Sequence, residues 1–518
     1  MMDGASAADS ASAASTERLG LWDAVSIIVG IVIGAGIYET APLVFSNVSS
    51  PLAALSVWVL GGAVSLMGAA CYAELASTYP RSGGDYVYLS RGFSPFVGFL
   101  FGWAQLAVIL TGSIGMMAYV FSDYGVALTG MDPGYGALLA AAPVLVLTLL
   151  NLASVALGKT AQNFLSWSKL LGIAAVVVVG MMVALTRTEA LPATLGQKVE
   201  REGSFGLAMI LVLYTFGGWN DAAFVAAEVR DRRRNLPRAL VIGTLAITLI
   251  YVLMNASFLA ALGFEGAQKS QAIARDVFQN VFGNAGGAAI SVLVMVSALS
   301  AVNALIFTGA RVYASLGADY SALSRLGRWH PRLRSPAWSL VVQLAITLLM
   351  IGIVGTRTGR AGIDGVLMQL GFAPATWSGH GGFDTLLRCT APVFWSFFLL
   401  TGISLFLLRR KDPELERPFR VPLYPITPLI FCATCAYMLY SAVEYAGKLT
   451  ALGLIPLLVG VPVYFSSKRR PGAGQIEPVS PQAGRGSSPI STSRVVPEGS
   501  RAAVEAAPLR APPKRSPL

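Results

Sequence analysis

Two glycine clusters interrupt long apolar runs in this chain, each in the middle of a stretch otherwise suited to a continuous helix. The first is GIVIGAG, with Gly30, Gly34 and Gly36; the second is Gly217-Gly218, followed by Trp219, Asn220 and Asp221. Each glycine costs a helix about 1 kcal/mol relative to alanine. Close packing between helices spaces small residues four apart, as Gly30 and Gly34 are. Gly36, only two residues further on, better suits a local break. A broken helix leaves N–H groups free at the start of its second half. With the positive end of that half-helix, they suit a carboxylate. Carbonyls released at the second cluster suit a cation such as an α-ammonium. Helix packing alone is the competing reading of both clusters.

Three charged residues lie close to these breaks or inside apolar sequence. Lys169, in SWSKLLGIAAVVVVG, falls within a predicted span. A lysine at that depth needs a polar environment or a proton-linked role, unless its long stem carries the ammonium back to the interface. Glu39 stands one helical turn past Gly36, and Asp221 follows Asn220. Either faces a substrate path or sits at a hydrated helix end, so both are selectivity candidates. Catalytic chemistry finds little support. The two histidines, His330 and His380, lie in loop-like sequence, and the four cysteines make no disulfide framework. Cys432 and Cys435 form a C-x-x-C, but inside the apolar run FCATCAYMLY. No metal cluster, nucleophile motif or phosphate loop can be assembled, so no cofactor is expected.

The elements that must position these residues are membrane helices. The chain has 518 residues, 54% hydrophobic and 13% charged, with a mean hydropathy of +0.63. Soluble domains carry roughly 25% charged residues. About twelve apolar segments each approach the ~20 residues that cross a bilayer: 21–41, 51–73, 95–121, 136–155, 161–185, 205–228, 238–262, 285–310, 335–355, 384–408, 421–443 and 450–467. Residues 1–18 and 468–518 read as disordered tails. The net charge of +11 is concentrated in alternate connections, around Arg230–Arg238, Arg311–Arg334 and Arg409–Arg420. The opposite loops 42–50 and 122–135 contain no Lys or Arg. The positive-inside rule then predicts cytoplasmic termini. Topogenic charge accounts for the basic balance without a nucleic-acid partner.

These stretches resemble the amino acid–polyamine–organocation superfamily, most closely its L-type amino acid transporter branch. The resemblance is carried by VGIVIGAGIY, AELASTYPRSGGDYVYL, SKLLGI, FGGWN, SAVNALIFTGARVYASL and ERPFRVPLYP, over roughly residues 20–465. It implies an all-α, LeuT-like fold, in which broken helices meet at mid-membrane around the substrate. Two inverted five-helix repeats (19–185 and 204–410) would be followed by two further helices (421–467), with helices 1 and 6 broken. It implies a substrate site at Val32, Ile33, Gly34, Ala35, Gly36, Tyr214, Thr215, Phe216, Gly217, Gly218 and Asn220. There the carboxylate meets the amides of residues 34–36, the amino group meets the carbonyls of Val32, Tyr214 and Gly217, and Tyr214 gates the site. Lys169 matches the lysine that replaces a sodium ion in sodium-coupled relatives. The implied function is secondary transport of amino acids, neutral ones foremost, in the plasma (inner) membrane. It would be sodium-independent and work by proton symport or exchange. A cationic amino acid or polyamine substrate, or a non-transporting sensor, is the alternative. Ala35 departs from the serine of many relatives. The 122–135 loop has no cysteine, so no disulfide-linked heavy chain is expected.

Overall fold

Serine–proline pairs open two of the long helices. Ser50 Oγ accepts from Ala53 N–H at 3.1 Å and Ser94 Oγ from Val97 N–H at 3.4 Å, each with proline at the first helical position. There the ring presets φ and the missing N–H has no intrahelical partner to lose. The computed structural model describes residues 20–79, 83–153, 155–186, 204–218, 229–330, 335–369, 371, 373–375, 377 and 381–468.

In chain order the helices are α1 (Leu21–Val32), α2 (Gly36–Ser46), α3 (Pro51–Thr78), α4 (Asp85–Gly92), α5 (Pro95–Ala104), α6 (Leu110–Thr129), α7 (Gly136–Ala153) and α8 (Val155–Thr186). Then come α9 (Phe205–Thr215), α10 (Arg232–Lys269), α11 (Ile273–Asp319), α12 (Ala337–Gly355), α13 (Arg357–Gln369), α14 (Gly382–Lys411), α15 (Ile426–Ala446) and α16 (Thr450–Ser466). A π-helical turn, Gln105–Ile109, joins α5 to α6. Long α10 and α11 kink at Gly263 and Gly283, both with positive φ.

The outer surface is apolar where a soluble protein would be polar. Leu249, Leu349 and Leu458 are each 61% exposed. Polar residues such as Thr215, Asn255, Ser291 and Asn303 are buried instead. That inversion is what lipid demands, since backbone groups must be satisfied within helices and apolar side chains face the hydrocarbon. Among the described residues nine helical stretches are long and apolar enough to cross a membrane, against the twelve segments expected. The arithmetic differs for physical reasons. The interrupted helices α1, α2 and α9 are each too short to span alone, while α15 and α16 run together as one stretch, Ile426–Ser466.

Three expectations are corrected. The segment expected to end at 121 continues as helix to Thr129, ending on left-handed Gly130, so residues 122–129 are not loop. The expected loop 356–383 contains the helix α13, whose Leu367 packs with Ala375, Cys389 and Leu449. The connection between the predicted spans 51–73 and 95–121 is helical in part too, as the end of α3 and as α4.

Long α10 lies against α1, α2, α3 and α8. Gly61 and Gly62 let α3 approach closely: a Cβ at Gly61 would lie 2.3 Å from Val212 and one at Gly62 2.3 Å from Thr248. At one end of the bundle, two distant sequence motifs meet. Glu74, 1% exposed, receives the Arg409 guanidinium in a bidentate pair at 2.7 and 2.5 Å and the Val421 N–H at 2.7 Å, with Arg417 at 3.5 Å. Alongside it, Asp412 accepts from Arg91 at 2.7 and 2.8 Å and from Tyr79 OH at 2.7 Å. These contacts fasten the α14–α15 connection to the ends of α3 and α4.

Candidate functional site

Helix 1 breaks where the glycines predicted. The last regular bond of α1 runs from Ile33 N–H to Val29 O at 2.9 Å; Ile33 is then extended (φ −73°, ψ 93°), and α2 starts at Gly36. Among the described residues, the N–H groups of Gly34, Ala35 and Gly36 find no acceptor in the protein. They lie at the N-terminal end of α2, where aligned peptide dipoles favour negative charge. Ala35 is wholly buried, and buried unsatisfied amides are rare enough to call for a partner.

The break also frees carbonyls at the end of α1, and the protein fills two of them. Lys169 Nζ donates to Gly30 O at 3.0 Å, and Tyr251 OH reaches Val32 O at 3.0 Å. Lys169, on α8, is only 3% exposed. Its stem therefore turns inward to helix 1 rather than out to an interface, which decides between the two placements open to the sequence. No carboxylate pairs with it among the described residues. A carbonyl has two lone pairs, so Val32 O keeps one for a further donor.

Helix 6 stops in the same neighbourhood. After Thr215 the chain turns, Gly217 N–H donating to Tyr214 O at 2.9 Å, and Gly218 takes φ +107°. That conformation favours glycine. A Cβ at Gly217 would stand 2.9 Å from Tyr214 O, whereas one at Gly36 would meet only Met117 Cε at an ordinary 3.6 Å. Asn220 and Asp221 lie outside the described residues.

Two contacts join the broken helix 1 to the end of α9, one of them through Tyr251 of α10. The Tyr251 hydroxyl that reaches Val32 O also lies 3.0 Å from Thr215 O, so a single proton serves two acceptors. The Thr40 and Thr215 hydroxyls meet at 2.8 Å, and Thr40 also donates to Gly36 O at 2.9 Å. Phe216 is buried against Trp58 and Tyr251, its ring 5.1 Å from that of Tyr251. The Tyr214 ring meets Phe383 of α14 edge-on, the centroids 6.2 Å apart.

The structure thus gathers residues 32–36 and 214–218 at one place and sets Lys169 behind them. Tyr251 and Thr40 were missed from sequence. A tyrosine in an apolar run reads as core, and only the matched threonines of helices 1 and 6 offered a hint. All four cysteines are free thiols. Among the described residues no group of three His, Cys, Asp or Glu side chains is placed to hold a metal.

The family description "Amino acid permease" matches residues 19–459. The serine/threonine exchanger SteT of Bacillus subtilis is 26% identical over 458 residues, covering 88% of this chain and 97% of SteT. The human b(0,+)-type amino acid transporter 1 is 28% identical over 432 residues, 82% of each chain. The mouse large neutral amino acids transporter small subunit 2 is 29% identical over 458 residues, 87% of this chain and 80% of the relative.

Proposed function

The chain belongs to the amino acid permease family, a family of membrane transporters and not of enzymes; on that premise we propose that it carries amino acids across the membrane by alternating access. The observation that carries this reading is the set of free amides at 34–36, tied to the end of helix 6 through Tyr251 and the Thr40–Thr215 pair. Those amides receive the substrate carboxylate. Remaining lone pairs of Val32, Tyr214 and Gly217 carbonyls receive its α-ammonium, with Tyr214 closing the site. Neutral amino acids satisfy this zwitterion site without further charge. The helices make twelve passages, as two inverted five-helix repeats plus α15 and α16, with both termini cytoplasmic. No disulfide-linked partner takes part.

Lys169 supplies a fixed cation at Gly30 O, so transport is sodium-independent, by proton symport or exchange. An imposed pH gradient against counterflow distinguishes these two, and uptake driven by a sodium gradient alone contradicts both. The central test replaces Gly36 and Gly217 by valine and measures labelled amino acid uptake in proteoliposomes. Both variants are expected to fold and to lose uptake. Normal uptake by both sinks the proposal.

A further inference from the structure

Glu39 and Asp123 take no part in the zwitterion site, yet both sit on helices that border it. Glu39 is the fourth residue of α2, about 4.5 Å along the axis from Gly36. Helical side chains lean towards the N-terminus, which returns its carboxyl towards the free amides. Among the helices packed against α2 is α6. Met117 lies against Gly36, and the Tyr124 ring meets the Tyr38 ring edge-on at 6.3 Å. This register brings Asp123 to the level of Glu39, and Asp123 is the charged group that acts on it.

Neither carboxylate has a cationic partner or a hydrogen-bond donor among the described residues. Glu39 Oε1 is sealed from solvent and meets no donor. A carboxylate in the first turn of a helix ordinarily serves the N–H groups there, so an orphaned oxygen leaves that simpler role unfilled. The neighbouring Tyr119 hydroxyl is turned elsewhere, donating to Ile351 O at 3.0 Å. Arg360 is engaged with Val354 O at 2.6 Å and lies over the Trp377 ring; it acts on Tyr119, and no cation is among the charges that act on the two carboxylates. Glu39 Oε1, buried among apolar helices without a partner, is costly unless a cation joins it.

We propose that Glu39 and Asp123 form a subsite for the cationic side chain of a dibasic amino acid of the lysine or arginine class. The inference rests on the transport reading of the adjacent site, which takes the α-carboxylate and α-ammonium. The second positive charge then has to come from the substrate's own side chain. One helical turn from the amides is within reach of a lysine or arginine stem.

The test compares arginine with citrulline, its near-isosteric neutral analogue, in proteoliposome uptake and in equilibrium binding to the purified protein. Wild type, Glu39→Gln and Asp123→Asn are compared. Wild type is expected to prefer arginine by about tenfold or more, the scale of a charge-assisted hydrogen bond. Each variant should bring the ratio towards one while keeping citrulline. A wild-type ratio near one, or a ratio unchanged in both variants, overturns the subsite. So does an unchanged ratio accompanied by a flattened pH dependence of leucine uptake, which makes the pair a proton carrier. Arginine-selective binding that both variants lose, without uptake of any amino acid, supports the subsite and refutes transport. Absence of both binding and uptake overturns the two together.

Discussion

Replacing Tyr251 by phenylalanine removes one oxygen and tests whether the two interrupted helices are held together as described. The hydroxyl lies 3.0 Å from both Val32 O and Thr215 O. Its single proton makes one full bond or two shared ones, so the loss is that of one hydrogen bond plus a buried carbonyl left without a donor. Stranding such a group costs about 1–3 kcal/mol. The ring contacts with Trp58 at 5.4 Å and Phe216 at 5.1 Å survive in phenylalanine. Tyr251→Ala loses those as well and adds roughly 3–5 kcal/mol for the cavity. Thermal unfolding in detergent should therefore rank wild type above Tyr251→Phe, and Tyr251→Phe well above Tyr251→Ala. Uptake should fall about tenfold in Tyr251→Phe, since about 1.4 kcal/mol of lost organisation corresponds to that factor. A Tyr251→Phe protein matching wild type in both assays refutes the idea that this hydroxyl fixes the site.

Other outcomes follow from the same geometry. Arg409→Gln leaves Glu74, 1% exposed, without its bidentate partner; removing one member of such a buried pair costs about 3–5 kcal/mol. The double variant Glu74→Gln/Arg409→Gln should recover part of that loss in unfolding measurements. Gly36→Ala, with its nearest contact at 3.6 Å, should fold and keep measurable uptake, while Gly218→Ala, at φ +107°, should not; equal behaviour of the two argues against the described break. Hydrogen bonds from Arg91 hold the Asp412 carboxyl below the usual aspartate range. Its folded pKa is depressed, so its contribution is complete above the unfolded value of about 3.9 and lost as pH falls below it. Unfolding midpoints measured from about pH 6 down to about pH 3, a range that brackets that value, should drop less in Asp412→Asn than in wild type.

The breaks were legible because glycine stands out in an apolar run: Gly34, Gly36, Gly217 and Gly218 mark where the helices stop. Lys169 was legible as a charge in such a run. Its partner was not, because a backbone carbonyl such as that of Gly30 has no signature of its own. Tyr251 escaped for a related reason, as its ring fits the core and only its hydroxyl does something else. Asp123 was hidden by a boundary. With the span ended at 121 it belonged to a loop, whereas α6 continues to Thr129 and holds it against α2. Helix α13 was obscured by Gly359, Gly362 and Gly365, which lower helix propensity along a segment stabilised by tertiary contacts instead. The joining of Glu74 to Arg409 spans 335 positions in the chain, a pairing that no local pattern announces.

The ammonium that Lys169 presents to Gly30 O is attached to the chain by covalent bonds. A dissolved ion at that carbonyl would come and go with its concentration, and occupancy would follow the bathing medium. A tethered one has an effective concentration set by the length and stiffness of its stem. Dilution cannot deplete it. The end of helix 1 thereby keeps a donor at this carbonyl whatever the sodium content of the medium.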